Sequence, residues 1–235
     1  MPGSVGLVPG QTHGELLTVN LARVIDTPAP VRGRQDAKPT KTGIDKRAAV
    51  GPVKVNALGL TGDTICDTAN HGGYDQAVYA YASEDTAWWQ AQLSDELTFV
   101  LGPGSLGENL TTRGVEVTDA VIGERWRVGS TVLQVSVPRI PCSTFAAFWQ
   151  VDRLIKRFTQ AARPGAYLRV LTEGELAGGD RIEILDRPSH GLTVGETFRA
   201  LTGDRSLVPK LLTAPELPDE VRVRASTWLA AAPKT

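Results

Sequence analysis

The sequence RWRVGSTVLQVSVPRIPC, which runs from Arg125 to Cys142, decides the fold class of this chain. Two runs of alternating residues flank the pair Gly129-Ser130, and a glycine in the first position of a two-residue connection adopts the positive φ of a tight hairpin turn. The second run ends at Pro138, which has no N–H to donate to a sheet. We therefore predict a β-hairpin whose second strand leads directly to a cysteine.

Short runs with similar patterning recur along the first 180 residues and predict a mainly β fold. Leu17, Val19 and Leu21, for example, alternate with Thr18 and Asn20, which is typical of a half-buried strand. Nine such runs at short spacing predict a β-barrel or a rolled mixed sheet in an α+β chain with flanking helices. The predicted strands are residues 17–21, 53–55, 77–82, 98–101, 115–118, 125–128, 131–137, 166–171 and 181–185.

Two helices are predicted to interrupt these strands. Residues 84–93 follow Ser83, whose side chain suits an N-cap. The second helix is predicted from an apolar stripe in which residues recur at i, i+3, i+4 and i+7. The members of this stripe are Val151, Leu154, Ile155 and Phe158.

The pattern changes after residue 189, where we predict a small three-helix appendage. Thr193 and Glu196 have the spacing of a capping box, and Gly203 suits the end of the helix that they begin. Apolar stripes at residues 207–212 and 221–229 predict the other two helices. The sequence therefore predicts two domains, a barrel over residues 1–187 and a helical domain over residues 188–235.

The composition fits a globular protein whose partner is not a nucleic acid. The 235 residues include 25 basic and 26 acidic side chains, for a formal net charge of −1, and 41% are hydrophobic. This balance argues against a basic surface for nucleic acid. The N-terminus has no basic residue before Gln11, and the weakly charged stretch 128–151 is broken by prolines. We therefore expect a cytoplasmic protein that does not enter a membrane.

Cys142 is the strongest candidate for chemistry. The prolines of PRIPC stiffen the backbone before it, and we predict that a helix begins at Ser143. A thiol at a helix N-terminus, near Arg139, has a lowered pKa and more thiolate. Such a thiolate is a nucleophile or a soft-metal ligand, and a buried inert cysteine is the alternative. Cys66 lies among acidic residues, which disfavour a thiolate, so we interpret it as structural.

Three further segments combine groups that suit a ligand site, and each has a simpler alternative. In His71-Gly72-Gly73, the histidine can transfer protons near neutral pH, and the glycines allow the backbone to approach a ligand closely. The alternative is that this segment is only a tight turn. Residues 32–54 carry seven basic and two acidic side chains, for a net charge of +5. This segment either binds a phosphate group or forms a solvated loop. Glu108-Asn109 follows a glycine turn and orients a ligand or caps the turn.

Several motifs that would indicate other chemistry are absent from the sequence. It has no GxxxxGKS/T loop and no GxGxxG before a helix, so nucleotide binding by those routes is unsupported. It has no GxSxG, HExxH, CxxC or iron–sulfur cysteine run. Zinc is a weaker alternative, because its candidate ligands lack motif spacing. Those ligands are His13, His71, His190, Cys66 and Cys142.

Seven segments, in order, resemble the MOSC domain, which is named for the C-terminal part of molybdenum-cofactor sulfurases. The resemblance covers about residues 15–187 and is strongest to the bacterial YiiM-type group, which is associated with resistance to N-hydroxylaminopurine. The three-helix tail also resembles the helical domain of that group. The matching segments are Lys46 with GPV (51–53), LGLTGD (58–63), HGGYDQAV (71–78), GENL (107–110), IGERWRVG (122–129), PRIPC (138–142) and RPGAYLRV (163–170).

This resemblance implies a mainly β fold around a pterin-based molybdenum cofactor, molybdenum–molybdopterin. It implies that Cys142 coordinates the metal. Because the cofactor supplies two dithiolene sulfurs of its own, one protein thiolate is enough. Basic side chains are expected to hold the cofactor's phosphate or the polar edge of its pterin. The expected cofactor-binding residues are Lys46, Arg47, His71, Gly72, Asn109, Arg139 and Cys142.

The implied activity is the reduction of a small N-hydroxylated compound, such as a hydroxylaminopurine or an amidoxime, to an amine. The expected catalytic residues are Cys142, His71 as the proton donor and Glu108 as the alternative donor. Because the sequence has no flavin or iron–sulfur motif, a separate reductase is expected to supply electrons to a monomer or homodimer. The alternatives are a carrier of sulfur or of the molybdenum cofactor that uses a persulfide on Cys142, and a binding module with an inert Cys142.

Overall fold

The computed structural model of the chain describes residues 13–29 and 40–231. Over these residues the chain forms β-strands, α-helices and two short 3₁₀ turns, at Tyr74–Gln76 and Arg205–Leu207. The strands are β1 (His13–Ala22), β2 (Ile25–Asp26), β3 (Lys41–Thr42), β4 (Lys46–Ala48), β5 (Val53–Asn56), β6 (Gly59–Leu60), β7 (Val78–Ala82), β8 (Leu110–Arg113), β9 (Arg125–Val128), β10 (Thr131–Pro138), β11 (Ala166–Thr172), β12 (Gly174–Leu176) and β13 (Arg181–Asp186). The helices are α1 (Ser83–Leu93), α2 (Ser143–Trp149), α3 (Leu154–Ala161), α4 (Val194–Thr202), α5 (Val208–Leu211) and α6 (Asp219–Ala230).

Seven of the strands form a closed barrel in the order β13-β9-β10-β11-β7-β8-β1, and β1 pairs with β13 to complete it. Neighbouring strands of the barrel are antiparallel except for the parallel pair β7 and β8. Strand β1 is long enough to pair with β13, then β8, and finally β4 outside the barrel. A bulge between Leu16 and Thr18 accommodates this change of partner. The predicted mainly β barrel in an α+β chain is confirmed.

The hairpin predicted around Gly129-Ser130 is also confirmed. Val128 pairs with Thr131 across the turn, and Gly129 has a φ of +55°. A Cβ at residue 129 would lie 2.4 Å from the carbonyl oxygen of Glu175, so packing as well as backbone conformation requires glycine here. The hairpin therefore fixes β9 and β10 as neighbours in the barrel.

Two of the predicted strands are wrong. Residues 98–101 form an irregular loop, in which the backbone N–H of Leu101 donates to Gln90 Oε1 at 2.7 Å and not to a neighbouring strand. Residues 115–118 form a turn that directs Val117 into the core. Apolar residues in both segments imitate a strand pattern, but no partner strand of the described chain faces their backbone groups.

The helices differ from the predictions mainly at their ends. Helix α2 begins at Ser143 as predicted, whereas α1 begins at Ser83 because Ala82, and not Ser83, is its N-cap. The predicted stripe from residue 151 fails in part, because Arg153 has a left-handed backbone conformation and α3 begins only at Leu154. As a result Ile155 is 40% exposed.

The three C-terminal helices form as predicted and pack against the barrel. Thr193 and Glu196 make both hydrogen bonds of the capping box, and Gly203 follows the end of α4. Val194 of α4 belongs to the barrel core, whereas Phe198 packs edge-on against Phe158 in a second, aromatic core. The division into two domains at residue 187 stays a prediction. None of the helices in the described ranges has the length and apolar character needed to cross a bilayer.

Candidate functional site

A cavity of about 500 Å³ lies beyond the end of β10. Pairing of Pro138 with Ala166, and of Ala166 with Ala80, brings the ends of β10, β11 and β7 to one rim of the barrel. Two segments, residues 40–44, which include β3, and residues 63–67, complete the wall. The cavity brings together six of the predicted site residues, namely Lys46, His71, Gly72, Asn109, Arg139 and Cys142.

Cys142 is half-buried in this wall, at the N-cap of α2. The extended segment after β10 delivers it there, and its carbonyl accepts the backbone N–H of Ala146 at 3.2 Å. Burial by itself would raise the pKa of the thiol. The His71 side chain, the Arg139 charge and the Phe145 backbone N–H outweigh burial, and the pKa falls to about 6. Cys142 is therefore mostly a thiolate at neutral pH.

Arg139 is a buried cation that faces this thiolate. Its side chain donates to the carbonyl of Leu106 and lies over the rings of Tyr79 and Phe145, at 5.2 and 4.5 Å from the ring centroids. In the part of the chain that the structure describes, it forms no ion pair with a carboxylate. Burial opposes the charge, but the neighbouring tyrosines and Cys142 raise the pKa of Arg139 above its ordinary value. The charge of Arg139 is thus available to an anion at Cys142.

The lowered pKa predicts how fast Cys142 reacts with iodoacetamide. In a Cys66→Ser background, the alkylation rate of the folded protein is expected to rise with pH to a plateau, with a midpoint near 6 rather than the ordinary 9.0. The pKa of Cys142 is lower in the folded protein than in the unfolded chain, so ionisation of the thiol stabilises the fold. This stabilisation is complete at a pH above the unfolded pKa of 9.0, and it is lost as the pH falls through about 6.

Two comparisons check this pH profile. His71→Leu removes a group that favours the thiolate, so its midpoint is expected at a higher pH. The chain unfolded in urea is expected to react with a midpoint near 9.0. Equal midpoints for the folded and unfolded protein would refute an activated thiol.

Lys46 does not lie free in the cavity, because Asp63 holds it. Its ammonium donates to both Asp63 oxygens at 2.7 and 2.6 Å, and both side chains are about nine-tenths buried, with 8% and 10% exposed. Asn109 Nδ2 donates to the same carboxylate at 2.8 Å, and so does the backbone N–H of Ala22, at 2.7 Å. Burial lowers the pKa of Lys46, and Asp63 opposes this change. The three side chains form one fixed polar face with no net charge.

Arg47 is not part of the cavity wall. Successive residues of a strand point to opposite faces, so Lys46 points inward and Arg47 outward. The Arg47 side chain is 66% exposed and pairs with Asp45 at 2.8 Å. Of the basic segment 32–54, residues 32–39 lie outside the described residues, and Lys41, which does line the cavity, pairs with Asp26.

Glu108 also lies away from the cavity, in contrast to the expectation that it is an alternative proton donor. Its side chain is fully buried beneath the loop that precedes β8. Its carboxylate accepts the backbone N–H groups of Gly104 and Leu106, at 2.6 and 3.0 Å, and the hydroxyl of Thr111 at 2.8 Å. Burial raises the pKa of Glu108. The residue therefore shapes the loop whose Leu106 carbonyl accepts from Arg139.

His71 and Gly72 reach the cavity from the loop before β7. The His71 backbone N–H donates to the carbonyl of Asp67 at 3.0 Å, which turns the loop and directs the imidazole toward Cys142. Gly72 has a φ of +84°, and a Cβ there would lie 2.8 Å from Ile65 Cδ1. Glycine at this position therefore keeps the loop close to the thiol.

Asp63, Tyr79 and Tyr167 are among the cavity residues that the sequence did not indicate as site candidates. Asp63 stands in LGLTGD, where its role depends on Lys46 and on Asn109, which is 46 positions away. Tyr79 and Tyr167 lie on adjacent strands, with ring centroids 5.1 Å apart, and both line the cavity. The sequence signal for the tyrosines is their place in or beside two motif segments: Tyr167 is part of RPGAYLRV, and Tyr79 directly follows HGGYDQAV.

The chain is similar to several known proteins over most of its length. It is 34% identical over 184 residues to the uncharacterized protein YflK of Bacillus subtilis, a match that covers 78% of this chain and 79% of YflK. It is 32% identical over 197 residues to a protein of Gibberella moniliformis named "Reductase", covering 83% of this chain but only 35% of that longer protein. It is 26% identical to YiiM of Escherichia coli, covering 68% of this chain and 70% of YiiM.

Solved structures share the fold. The crystal structure of YiiM from Geobacillus stearothermophilus superposes with a TM-score of 0.72 at 24% sequence identity, covering 91% of this chain and 98% of that one. YiiM from Escherichia coli gives 0.68 at 24% identity, over 83% and 92% of the two chains. The family model of the MOSC domain matches residues 67–183, which include His71 and Cys142. The chain therefore belongs to the MOSC domain family.

Proposed function

We propose that this chain is an oxidoreductase that binds a molybdenum cofactor in the cavity and reduces N-hydroxylated compounds to amines. The observation that carries the proposal is the Cys142 thiolate on the cavity wall, with His71 and Arg139 beside it. Family membership supports the cofactor, since the domain is named for the C-terminal part of molybdenum-cofactor sulfurases. The name of the Gibberella moniliformis relative supports the reaction class.

The donor set of the cavity fits a metal that brings most of its own ligands. Over residues 13–29 and 40–231, no three His, Cys, Asp or Glu side chains gather closely enough to hold a metal ion. The cavity instead offers one soft thiolate, which suits a metal already held by dithiolene sulfurs. A volume of about 500 Å³ lies within the usual range for small-molecule sites. At Gly107 a Cβ would lie 3.1 Å from Ile44 Cγ1, so this glycine also keeps the wall open.

Each wall of the cavity has a role in this proposal. When bound, the cofactor would supply oxygen-atom-transfer and two-electron chemistry. Cys142 would hold its metal, and the charge of Arg139 would stabilise the thiolate. Lys46, which Asp63 fixes, presents an N–H donor to the polar part of the cofactor. Asn109 supports this face, because its amide N–H groups donate to Asp63 and to the carbonyl of Asn20. These residues divide the cavity into a metal-binding side and a polar side.

His71 is the proposed proton donor. The net reaction, R–NHOH + 2e⁻ + 2H⁺ → R–NH₂ + H₂O, needs two protons, one that converts the departing hydroxyl to water and one for the amine nitrogen. The His71 imidazole faces Cys142 and is half-exposed, so solvent can return each proton that it gives up. A positioned acid of this kind contributes about 10²–10⁴-fold to a rate. Electrons come from a separate reductase, because the sequence contains no flavin or iron–sulfur motif.

An activity assay tests the proposal. Protein from a strain that makes the molybdenum cofactor is supplied with a reduced viologen dye and an amidoxime, and the amidine product is measured by chromatography. We expect amidine from this protein and none from protein made in a strain that lacks the cofactor. His71→Asn is expected to retain the metal and to lose about 100-fold in rate. Protein that contains molybdenum but forms no amidine would exclude this function.

The reactive thiol also supports a second candidate, a carrier that holds a persulfide on Cys142. A thiolate of low pKa attacks sulfur donors readily, and Cys142 is half-exposed to the cavity. Intact-protein mass spectrometry separates the two functions. An added sulfur on Cys142 without bound molybdenum would favour the carrier over the reductase.

A further inference from the structure

Gln76 stands out among the residues that line the cavity. It ends the 3₁₀ turn that leads into β7, and its Oε1 atom is buried without accepting a hydrogen bond from any described residue. Folded proteins rarely leave a buried amide oxygen without a donor. In the described ranges, five buried side-chain atoms make no hydrogen bond, and only the one on Gln76 belongs to a cavity-lining residue.

Two other polar side chains that line the cavity, those of Asn109 and Tyr79, already have partners. Asn109 Nδ2 donates to Asp63, and Asn109 Oδ1 accepts the backbone N–H of Tyr79 at 3.1 Å. The Tyr79 hydroxyl donates to the carbonyl of Pro164 at 2.8 Å. Of the two side-chain amides that the described residues place in this wall, Gln76 is therefore the one whose oxygen can still accept a hydrogen bond.

The missing partner does not reflect a loose turn, because the residues around Gln76 are held in place. Its own backbone N–H donates to the carbonyl of Gly73 at 3.2 Å. The neighbouring Asp75 accepts from Arg169 Nε at 2.5 Å, and Arg169 Nη1 donates to Gln134 at 3.1 Å. The backbone is fixed, while the terminal torsion of a glutamine amide turns easily. A ligand can thus rotate the amide and recover the hydrogen bond that Oε1 lacks.

We propose that Gln76 determines substrate specificity by accepting a hydrogen bond from a second nitrogen of the substrate. This inference rests on the proposed function and narrows its substrate class. In an amidoxime or a hydroxylamino-heterocycle, the carbon that bears the N–OH group also bears another nitrogen, and an N–H there is a donor. A simple arylhydroxylamine lacks that nitrogen. Glutamine amides read the edge of adenine in a similar way, by pairing with its exocyclic amine.

Gln76→Leu tests this role through two effects of opposite sign. Replacing an unpaired buried amide with an apolar group of similar size removes a penalty, so the ligand-free protein is expected to melt about 2–4 °C higher. The same change removes an acceptor, so benzamidine, a probe with the amidine N–H groups, is expected to bind about 10-fold more weakly. Binding is followed by titration calorimetry on the purified full chain.

The control is Gln160→Leu, the same change at an exposed position of α3. It is expected to leave both the melting temperature and benzamidine binding unchanged. A second variant, Gln76→Glu, retains an acceptor and adds a negative charge, so it is expected to bind benzamidinium at least as tightly as the wild type. A purely structural Gln76 would lower the melting temperature on substitution and leave benzamidine binding unchanged in both variants. That result would overturn the proposal.

Turnover separates this inference from the function on which it rests. With molybdenum-loaded protein, Gln76→Leu is expected to lower kcat/KM about 10-fold for an amidoxime and to leave that for N-phenylhydroxylamine unchanged. An equal loss for both substrates would contradict a specificity role. If the wild type reduces neither compound, the proposed function fails, while benzamidine binding still decides the role of Gln76.

Discussion

Cys142→Ser is expected to lose bound molybdenum and at least about 100-fold of the reductase activity. Substitution of a residue that only supports a metal ligand typically lowers metal affinity about 10–100-fold. Loss of the one protein ligand itself is expected to lower the affinity by about 100-fold or more. A serine hydroxyl has nearly the same size as the thiol, but it is not ionised at neutral pH and is a poor ligand for a metal in a sulfur environment. Elemental analysis and the amidoxime assay measure the two losses.

The comparison variant is Cys66→Ser, which makes the same chemical change at the other cysteine, an exposed residue of the 63–67 segment of the cavity wall. It is expected to retain molybdenum, because the proposal assigns the metal to Cys142 and gives the Cys66 thiol no role. Circular dichroism checks that both variants fold. A folded Cys142→Ser protein with wild-type molybdenum content would show that another group holds the metal.

Asp63→Asn is expected to destabilise the fold by about 3–5 kcal/mol, because it leaves the Lys46 ammonium buried without a counter-ion. The amide can still accept, but it does not balance the charge, and burial already lowers the pKa of Lys46. The unbalanced charge of Lys46 would also disturb the hydrogen bond from Asn109 to residue 63. Urea denaturation of the cofactor-free protein measures the loss.

Two comparisons identify the cause of that loss. The exposed pair of Arg127 and Glu183 has a similar geometry, at 2.9 Å, and Glu183→Gln is expected to cost less than about 1 kcal/mol. The double variant Lys46→Met/Asp63→Leu removes both charges and is expected to be more stable than Asp63→Asn alone. If Asp63→Asn and Glu183→Gln cost the same, the buried pair has no special electrostatic role.

The sequence predicted the barrel because local signals and the final topology agree. The Gly129-Ser130 turn and the alternation of β9 and β10 are local features, and they determine which strands are neighbours. Residues 98–101 and 115–118 misled the prediction because a strand also needs a partner, and pairing across the sheet leaves no local mark. Strand β8 was missed for a related reason, since its central threonines are buried and show no alternation.

The candidate site was predictable where one segment carries the chemistry. The prolines, Arg139 and the helix start around Cys142 all lie within six residues, and the structure places these groups together. Asp63 was not predictable in this way, because its partners Lys46 and Asn109 come from distant parts of the chain. Glu108 was a natural candidate as an acid next to a glycine turn. Only its backbone partners reveal that it is directed away from the cavity.

The most direct test of the account is the molybdenum and pterin content of the protein, measured in parallel from two expression strains. The wild-type chain is purified from a strain that makes the molybdenum cofactor and from one that cannot, and each sample is analysed by mass spectrometry for metals and by fluorescence of the oxidised pterin. We expect close to one molybdenum and one pterin per chain from the first strain and neither from the second. Stoichiometric zinc, or an absence of molybdenum and pterin from both strains, would contradict the account.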